Sequence, residues 1–584
     1  DRKYVCIAKD VDVDDVANFM AYRWKKRTPK IILSIVNNNK YFKPWKNESH
    51  IEDFQRGLIE AANLTEMWLL TDGLDSGISK YIGNAVGEEM ARRTSIEKDY
   101  LHIKNAWVEE KLSKLTVLGV VSKSEISYGS YLDGKTPRLF IEHSDAKSIE
   151  NVGQKPHVDR YELNPDHTHF VMVEDVTRQE LLSLRYNLEI RFTHPVGRAR
   201  RYRRMPSSHT TIPGSEPDVN DVLDKEYDES LTPVIGLFIQ GGPSEIDHCI
   251  WLLKKRVPII LIKGAGLAAD LVAFAYEESQ ERSDKDHYES FIKPELVKKV
   301  MTTFPQDFRN NELARNQCRD RILECVEFAN QGEQCYLTII DPSAGGDLSN
   351  LSKYILNALF KSQPRRGGPH IRDQIQRDLQ LTLDWNRCDL AKSKIFQKYN
   401  RKIKVEDYIF HQALQRNNRE EFVELFLEKG FQVHRFLNHK RLHHLFENCQ
   451  DRDFFVGVCM EGVLGKSVNL NSVVTKQFVE DDMCDLNHLL FRCTRLQKLV
   501  SPYELSMNSL GDYISNKEVA ERRALNALLF WATLTNRHKL AKVIWKRTED
   551  PMTMAIIISM ILNNLSKYWC KDIDIKRKIK VNAE

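Results

Sequence analysis

The sequence lacks an excess of charge of either sign. Its 584 residues include 86 Lys and Arg residues against 82 Asp and Glu residues, which leaves a formal net charge of +4. Binding to nucleic acid or to an acidic membrane through a long-range field needs a larger or more concentrated charge. We therefore expect no nucleic-acid partner, and any ligand has to be identified from local motifs.

Long apolar runs are also absent. The longest strongly apolar stretch near the end of the chain is residues 552–562 (MTMAIIISMIL), well short of the about 20 residues that a membrane-spanning helix needs. The sequence shows no signal-peptide pattern, and we expect none. We expect a soluble chain that meets a membrane only through a transmembrane region outside this sequence. Because it starts at Asp1 rather than methionine and ends in a basic segment, we expect a piece of a longer protein.

Clustered metal ligands are missing as well. None of the 11 cysteines forms a C-x-x-C pair, which favours reduced thiols in the cytosol over disulfides or a zinc site. His167 and His169 stand two residues apart, but no third ligand is in view, so we expect packed or hydrogen-bonded roles. We predict no metal and no cofactor. The motifs of P-loop NTPases, serine hydrolases, Nudix hydrolases and kinases are absent too.

The sequence does contain a repeated pattern of strand, glycine turn and helix in residues 234–270 (VIGLFIQGGPSEIDHCIWLLKKRVPIILIKGAGLAAD). Two runs rich in β-branched residues, 234–239 and 258–262, each lead into a turn that opens a helix. The turns consist of Gly241, Gly242, Pro243 and Ser244, and of Gly264, Ala265, Gly266 and Leu267. Glycine lets backbone N–H groups approach an anion closely, and the positive end of the following helix points at the same place. The pattern predicts a phosphate-binding crevice at the carboxyl edge of a parallel sheet.

Two more predicted strands end in turns that could join this crevice. Residues 31–36 (IILSIV) lead into Asn37, Asn38 and Asn39. Asparagine tolerates left-handed backbone angles, so this triplet could replace a glycine turn, although an ordinary polar loop is an equal alternative. Residues 67–71 (MWLLT) lead into a third phosphate-type turn and a helix. The predicted contacts of that turn are Thr71, Asp72, Gly73, Ser76 and Gly77.

The remaining strand patterns complete an α/β domain. Further strands are predicted at 116–121, 169–173 and 335–340, with helices between them. The beginning of the chain predicts a short helix before Pro29. We therefore predict a mostly parallel α/β sheet over residues 1–345.

Two polar stretches interrupt this domain. Residues 125–166 are rich in turn residues and predict an elaborated loop. Residues 197–204 (GRARRYRR) begin a basic stretch that continues, rich in Ser, Pro and Asp, to residue 229. This stretch is either a mobile basic loop or a solvated surface insertion.

Helices alone are predicted over residues 346–584. One pattern recurs, in which an Asn-Arg or Asn-Asn turn separates two helical segments: LTLDWNRCDLAKSKIF, HQALQRNNREEFVELFL and LFWATLTNRHKLAKVIW. Such pairing is typical of ankyrin-like or other solenoid repeats, although the spacing between units is irregular. We expect this region to act as a scaffold.

Together these motifs resemble the cytosolic N-terminal region of melastatin-type TRP cation channels, most of all the ADP-ribose-gated kind. The shared features are Thr71-Asp72-Gly73 with Ser76-Gly77, Gly241-Gly242-Pro243, Gly264-Ala265-Gly266 with Ala269-Asp270, DWNRCDLAKSKIF and LTNRHKLAKVIW. The resemblance covers nearly the whole chain. It implies a SLOG-type Rossmannoid nucleotide-binding domain, ankyrin-like repeats, a homotetramer and a place on the cytoplasmic face of a membrane.

The resemblance also implies a ligand and its contacts. The ligand would be ADP-ribose or a related adenine dinucleotide such as NAD, and the family's ligand-contacting arginine matches Arg185. Without the resemblance, the sequence favours the alternative that Arg185 is an arginine on the helix surface in an i,i+4 pair with Glu189. The chain departs from the family in two turns. Residues 37–39 replace a glycine turn, and Leu267 replaces an arginine that would pair with phosphate.

Two functions follow from these residues. One is a sensor, in which binding of the dinucleotide is itself the function. The other is a hydrolase of the N-glycosidic bond of NAD, because SLOG relatives with that activity carry a carboxylate just after the glycine turn. Glu245 and Asp247 are the candidate catalytic residues here. Their alternative role is at the start of a helix, where Ser244 can cap and acidic residues favour the helix dipole.

Overall fold

The chain forms two compact units, residues 1–367 and residues 368–584. The structure is a computed structural model, and it describes residues 2–26, 29–45, 47–65, 67–100, 115–127, 160–174, 176–193, 232–281, 287–331, 334–362, 370–398, 403–451, 454–465, 482–500, 516–570 and 573–583. The predicted basic stretch 197–229 falls wholly outside the described residues, as does most of the predicted loop 125–166.

The first unit alternates strands and helices. Its strands are β1 (Lys3–Ile7), β2 (Ile31–Val36), β3 (Met67–Thr71), β4 (Thr116–Ser122), β5 (His169–Val173), β6 (Val234–Phe238), β7 (Ile259–Ile262), β8 (Asn330–Gln331), β9 (Gln334–Cys335) and β10 (Leu337–Ile340). Its helices are α1 (Val13–Tyr22), α2 (Glu48–Leu64), α3 (Gly77–Tyr100), α4 (Arg178–Phe192), α5 (Pro243–Lys254), α6 (Leu267–Glu281), α7 (Lys293–Thr303), α8 (Glu312–Ala329) and α9 (Leu351–Ser362). Short helical turns lie at Lys123–Glu125, Tyr288–Ile292, Pro305–Phe308, Pro342–Ala344 and Leu348–Asn350.

Among the described residues, eight strands form one parallel sheet in the order β1-β5-β4-β3-β2-β6-β7-β10. The central strands are buried at every position, as expected when helices cover both faces of a parallel sheet. Strands β8 and β9 form a separate antiparallel hairpin. The predicted α/β class, a mostly parallel sheet followed by helices, is confirmed.

Strand β1 is absent from the sequence-based prediction, which placed only a helix before Pro29. The structure contains that helix, α1, and adds β1 before it. β1 lies at the edge of the sheet, and its first residues, Lys3 and Tyr4, are exposed. Because an edge strand is only partly buried, its residues show neither an apolar run nor a clear alternation.

The helices cover the two faces of the sheet as two groups. On one face, α1 packs against α4, α4 against α5, and α5 against α8. On the other face, α2 packs between α3 and α9. The chain runs through β2, β3, β4 and β5 in one direction, then returns to place β6 on the free side of β2. The helices after β2 and β6 therefore lie on opposite faces, so these two strands form a topological switch point.

The second unit is helical. Its longer helices are α10 (His370–Asp384), α11 (Asp407–Gln415), α12 (Glu420–Glu428), α13 (His439–Glu447), α14 (Asp482–Thr494), α15 (Lys517–Leu534), α16 (His538–Trp545), α17 (Pro551–Asn564) and α18 (Ile573–Ala583). Shorter helical segments are Cys388–Leu390, Ala391–Phe396, Val433–Phe436, Phe455–Val463 and Leu565–Trp569. Within the described ranges, no helix combines the length and the apolar character needed to cross a membrane.

The three recurring turns adopt one backbone conformation. Asn386, Asn418 and Asn536 have φ angles of 53°, 56° and 61°, in the left-handed region that asparagine tolerates better than most residues. An arginine follows each of them in sequence. The Asn-containing turns predicted between helical segments are therefore present as tight helix-to-helix connections.

Two of those arginines join successive turns. The guanidinium of Arg419 donates to the main-chain oxygens of Leu383 at 2.6 Å and Asp384 at 3.0 Å. Arg537 donates to the main-chain oxygen of Arg416 at 2.7 Å. The second turn thus binds the first and the third binds the second, although the third lies more than 100 residues further along the chain. Whether these pairs are ankyrin repeats stays a prediction.

Candidate functional site

Four of the predicted turns lie side by side. Strands β3, β2, β6 and β7 are neighbours in the parallel sheet, so the turns that follow them share its carboxyl edge. The switch point between β2 and β6 is in their middle, the place where open α/β sheets bind ligands. We call the region formed by residues 37–43, 72–76, 123–125 and 240–245, together with Arg178, the switch-point crevice.

Glu245 is the buried anion of this crevice. Its Oε2 atom accepts the main-chain N–H of Gly242 and the Nδ2 of Asn38, both at 2.8 Å. Its Oε1 atom lies 3.1 Å from Nε of Arg178. A backbone N–H, an amide and a guanidinium also form the usual donor set for a bound phosphate. The Glu245 carboxylate therefore occupies the place predicted for an external anion at this glycine turn, while it also caps α5.

Arg178 is the basic residue that the structure adds to the crevice. It begins α4 directly after the capping residue Thr177. Its Nη2 atom donates to the main-chain oxygen of Asn37 at 2.9 Å, and its Nε atom faces Glu245. Burial opposes its charge, but Glu245, Glu125 and Asp72 together raise the pKa of Arg178 above its ordinary value. Arg178 is thus a fixed cation between the turns after β2 and β6.

A local signal for Arg178 exists in the sequence. The first turn of a helix favours acidic residues, because its main-chain N–H groups carry partial positive charge. An arginine at the first position, next to a Thr177–Glu180 capping box, opposes that preference. Such a residue needs a compensating carboxylate or ligand, which here is Glu245.

The turns after β2 and β3 are tied together through Asp72. Its Oδ2 atom accepts the side-chain amides of Asn37 at 3.3 Å and Asn39 at 2.8 Å, and its Oδ1 atom accepts the N–H of Leu74 at 3.2 Å. Asn37 and Asp72 are 2% and 1% exposed. The asparagine turn is therefore a buried, ordered part of the crevice.

Glu125 supplies a third carboxylate, from the turn after β4. Its main-chain oxygen accepts the N–H of Tyr161 at 2.8 Å, which fixes its backbone. Burial raises the pKa of its side chain, and the charges of Asp72 and Glu245 add to this while Arg178 opposes it. Its Oε2 atom is buried with no hydrogen-bond partner among the described residues.

Thr71 and Gly73 form the tight end of β3. The Oγ1 atom of Thr71 accepts the N–H of Gly73 at 2.8 Å and lies 2.7 Å from Nε2 of His167, whose Nδ1 is 3.0 Å from Oδ1 of Asn164. His167 is fully buried, and burial lowers its pKa to about 3. Its role is to hold this turn, in line with the hydrogen-bonded role expected from the sequence.

Glycine is required at two positions around this turn. A Cβ atom on Gly73, whose φ is +74°, would lie 2.8 Å from Cα of Gly119 on the neighbouring strand. A Cβ atom on Gly77, whose φ is +56°, would lie 2.4 Å from Oδ1 of Asn39. Ser76 precedes α3, and its main-chain oxygen accepts the N–H of Lys80. The glycines thus allow close approach of the sheet and of the asparagine turn.

The Gly264 turn also binds a carboxylate of the chain itself. The N–H of Gly264 donates to Oδ1 of Asp270 at 2.7 Å, and Gly266 donates to the same side chain. Ala265 is partly exposed, and Leu267 is buried with a φ of +62°. As at Gly242, an internal carboxylate occupies the anion position of the turn.

The two glycine turns contact each other directly. The N–H groups of Ala268 and Ala269 donate to the main-chain oxygens of Gly241 at 3.3 Å and Gln240 at 2.8 Å. The first N–H groups of α6 are thus bonded to the neighbouring turn. The convergence of the two turns, expected from their adjacent strands, is present in the structure.

Tyr41 covers Gly242. A Cβ atom at position 242 would lie 2.5 Å from two carbons of the Tyr41 ring, which itself packs edge-on against Phe304. Pro243 and the half-buried Ser244 begin α5 beyond this contact. The space beside Gly242 is therefore filled by an aromatic side chain.

Asp247 and Arg185, two further predicted site residues, lie away from these contacts. Asp247 faces α8, where Arg321 Nη1 lies 3.0 Å from its carboxylate, so it is not brought together with Glu245. Arg185 is 3% exposed. Its Nη2 atom donates to Ile35 O at 2.8 Å and Leu70 O at 3.1 Å, within the sheet.

Arg185 belongs to a buried polar network. Its guanidinium also donates to Oγ of Ser34 and, at 2.9 Å, to Oε1 of Glu189. Nε2 of His248 lies 3.1 Å from the other oxygen of Glu189. Burial opposes ionisation of Glu189, but His248 and Arg185 hold its pKa at about 2. The helical pair with Glu189 considered from the sequence is therefore present, in the interior rather than on the surface.

Comparison with known protein families identifies this arrangement. Residues 2–325, more than half of the chain, match the family described as SLOG in TRPM. The chain belongs to this family. Residues 397–584 match a second family, described as the TRPM2-like domain. The SLOG region thus contains the whole switch-point crevice, and the TRPM2-like region covers most of the helical unit.

Three relatives match nearly the whole chain. The chain is 26% identical over 576 residues to transient receptor potential cation channel subfamily M member-like 2 of Nematostella vectensis, covering 96% of this chain and 33% of that protein. It is 23% identical to subfamily M member 6 of Homo sapiens (96% and 26% covered) and 22% identical to subfamily M member 2 of Rattus norvegicus (97% and 35% covered). The chain spans about a quarter to a third of the length of these relatives.

Proposed function

We propose that the chain is the ligand-sensing module of a melastatin-type TRP cation channel, and that its SLOG region binds ADP-ribose or NAD in the switch-point crevice. Relatives named as cation channels support the first part, because the similarity extends over nearly the whole chain. Arg178, whose guanidinium reaches the turns after β2 and β6, supports the second.

Arg178 carries this proposal because a diphosphate needs a cation at the point where the turns converge. Asn37 O and Glu245 hold the guanidinium in place before any ligand arrives, which reduces the entropy lost on binding. Carboxylates of dinucleotide sites commonly accept hydrogen bonds from ribose hydroxyls. Asp72 and Glu125 are suited to that role.

Titration calorimetry of the purified chain with ADP-ribose and with NAD tests the proposal. We expect a single site, and we expect Arg178→Gln to weaken binding by about 1.5–3 kcal/mol, the contribution of a charged hydrogen bond. Arg191→Gln removes an arginine from the last turn of the same helix and should leave affinity unchanged. Absence of heat with both nucleotides at millimolar concentration, or equal affinities of the two variants, would contradict the proposal.

The proposal extends to the whole protein. We propose that the chain lies on the cytosolic side of a homotetrameric channel and that nucleotide binding is communicated to the helical unit, as the resemblance to the family implies. Amide hydrogen exchange with and without nucleotide tests the communication. Protection should change in α11 and α12 as well as around the crevice. A change confined to the SLOG region would restrict the function to binding.

Hydrolysis of NAD is a second candidate, because Glu125 is a buried carboxyl group with a raised pKa beside the carboxylates of Asp72 and Glu245. A pair of carboxyl groups in different environments can act as an acid and a base on one glycosidic bond. Chromatography of NAD after long incubation with the chain tests this. Release of nicotinamide that stops in Glu125→Gln and Glu245→Gln would establish the activity. Intact NAD would exclude it.

A further inference from the structure

Hydrogen-bond acceptors without donors gather in the switch-point crevice. Asn37 is 2% exposed, and its Oδ1 atom has no hydrogen-bond partner within the described part of the chain. Oε2 of Glu125 likewise has no hydrogen-bond partner among the described residues. Asn37 lies between Asp72, which accepts its amide, and Arg178, which donates to its main-chain oxygen. A buried acceptor without a donor is unfavourable, so these atoms favour a ligand that brings N–H or O–H groups or a positive charge.

Charge in the crevice points the same way. The carboxyl groups of Asp72, Glu125 and Glu245 act electrostatically on the guanidinium of Arg178, which is already paired with Glu245. The lysines Lys40 and Lys123 of the crevice are paired with Asp307 and Glu174, outside this set of carboxyl groups. The three carboxyl groups follow three different strands, β3, β4 and β6, so the parallel sheet itself brings them to one place. A ligand with two phosphate charges and no cation would add negative charge to this set.

NAD and its analogues differ in charge and in hydrogen-bond donors, the two properties to which the acceptors and carboxyl groups of the crevice respond. In its oxidised form NAD carries a pyridinium cation and a carboxamide with two N–H donors, next to a ribose with two hydroxyls. The reduced form has nearly the same shape, but its nicotinamide ring is neutral. ADP-ribose lacks the ring altogether and carries one more net negative charge than oxidised NAD.

We infer that the crevice selects the oxidised, pyridinium form of NAD over both its reduced form and ADP-ribose, with Glu125 as the specificity-determining residue. The inference rests on the proposed nucleotide site and specifies its ligand. Glu125 suits this role because its unpartnered Oε2 atom leaves a carboxylate oxygen to face the pyridinium ring.

Competitive titrations with oxidised NAD, reduced NAD and ADP-ribose test the inference. At an effective dielectric constant of about 20, one unit charge near a carboxylate gives oxidised NAD an advantage of at least about ten-fold. A carbocyclic analogue of oxidised NAD, which cannot form a ribosyl cation, keeps hydrolysis from distorting the comparison. If oxidised NAD binds no more tightly than reduced NAD and ADP-ribose, this inference is overturned but the proposed nucleotide site is not. Failure of all three nucleotides to bind overturns the proposed site and this inference together.

Glu125→Gln tests the assigned residue. The amide keeps the size of the side chain and removes its charge, so the preference for oxidised over reduced NAD should fall from about ten-fold towards unity. Glu60→Gln is the control, since Glu60 is exposed near the end of α2 and belongs to none of the crevice segments. It should keep the full preference. An unchanged preference in Glu125→Gln contradicts the assignment. If that variant does not fold, Glu125→Ser removes the same charge with a smaller side chain, and the same ratio is measured for it.

Discussion

Oε2 of Glu245 accepts the main-chain N–H of Gly242 at a distance of 2.8 Å. This contact places a side-chain carboxylate where a phosphate was expected from the glycine turn. Asp270 repeats the arrangement at Gly264. At both turns the main-chain N–H binds a carboxylate of the chain itself. Binding of an external phosphate at these turns stays a prediction.

Glu245→Ala tests whether the Gly242 turn is an anion site. The change leaves Arg178, Asn38 and the N–H of Gly242 without their carboxylate. We expect the free energy of unfolding to fall by about 3–5 kcal/mol, as when one partner of a buried ion pair is removed. Phosphate should then raise the melting temperature of the variant more than that of the unaltered chain, because it binds the vacated donors.

Asp247→Ala is the control for that experiment. Its partner Arg321 is about half exposed, so the loss should be only about 0–1 kcal/mol. Phosphate should have the same effect on this variant as on the unaltered chain. If phosphate raises the melting temperature of Glu245→Ala no more than that of the unaltered chain, the turn does not bind external anions.

Arg185→Met tests whether Arg185 acts in stability or in ligand contact. The buried Glu189 would lose its cation, so we expect a loss of about 3–5 kcal/mol of unfolding free energy in urea titrations. Combining it with Glu189→Leu should recover much of this loss, since a well-packed apolar pair can replace a buried ion pair. A fully stable Arg185→Met variant with weakened nucleotide binding would instead support the ligand-contacting role implied by the family resemblance.

The burial of His167 predicts that the free energy of unfolding depends on pH. Burial lowers its pKa to about 3 in the folded chain, against about 6.5 when unfolded. The unfolded chain therefore binds a proton first, and stability is lost as pH falls from about 6.5 towards 3. Between pH 7 and pH 5 this amounts to about 2 kcal/mol. Urea unfolding, followed by hydrogen exchange of sheet amides, should show that His167→Gln loses less stability over this range. Equal losses would show that His167 titrates normally.

Gly242→Ala should disturb Tyr41. The added Cβ would lie 2.5 Å from the tyrosine ring, and overpacking of this kind costs about 1–3 kcal/mol. In thermal denaturation, Tyr41→Ala should relieve part of that cost, giving a coupling energy of about 1 kcal/mol. Gly264→Ala is the comparison, because no atom lies within 4 Å of its added Cβ. Its cost should come from backbone strain and be independent of Tyr41. Additive effects of Gly242→Ala and Tyr41→Ala would argue against the contact.

Arg419→Lys should loosen the first two turns of the helical unit. A lysine cannot donate to Leu383 O and Asp384 O at once, as the guanidinium does. Faster amide hydrogen exchange is expected at the end of α10 and in the turn before α12, with a loss of about 1.5–3 kcal/mol per charged hydrogen bond. The exposed Arg435, changed to lysine, should leave exchange unaltered. Unchanged exchange in both variants would remove the arginine contacts as a link between turns.

Local patterns in the sequence determined much of this protein. Runs of β-branched residues such as Ile31–Val36 predict strands because they fit a sheet buried on both faces. Since parallel strands share one carboxyl edge, the positions of the glycine and asparagine turns after β2, β3, β6 and β7 followed from the strands. The asparagines of the helical turns are local signals too, because a left-handed backbone angle is a property of one residue.

Only the tertiary structure decided which charged groups meet in the crevice. Arg178 contacts Asn37, which is 141 residues away in sequence, and Glu245, which is 67 residues away. Arg185 lies seven residues, or about two helical turns, further along the same helix, and its guanidinium donates to the main chain of the sheet. Both arginines lie on the same helix, and no periodicity distinguishes them. Hydrogen-bond partners at such separations depend on the order of strands and the faces their helices cover. Those features are fixed when the whole sheet packs, so local residue preferences do not encode them.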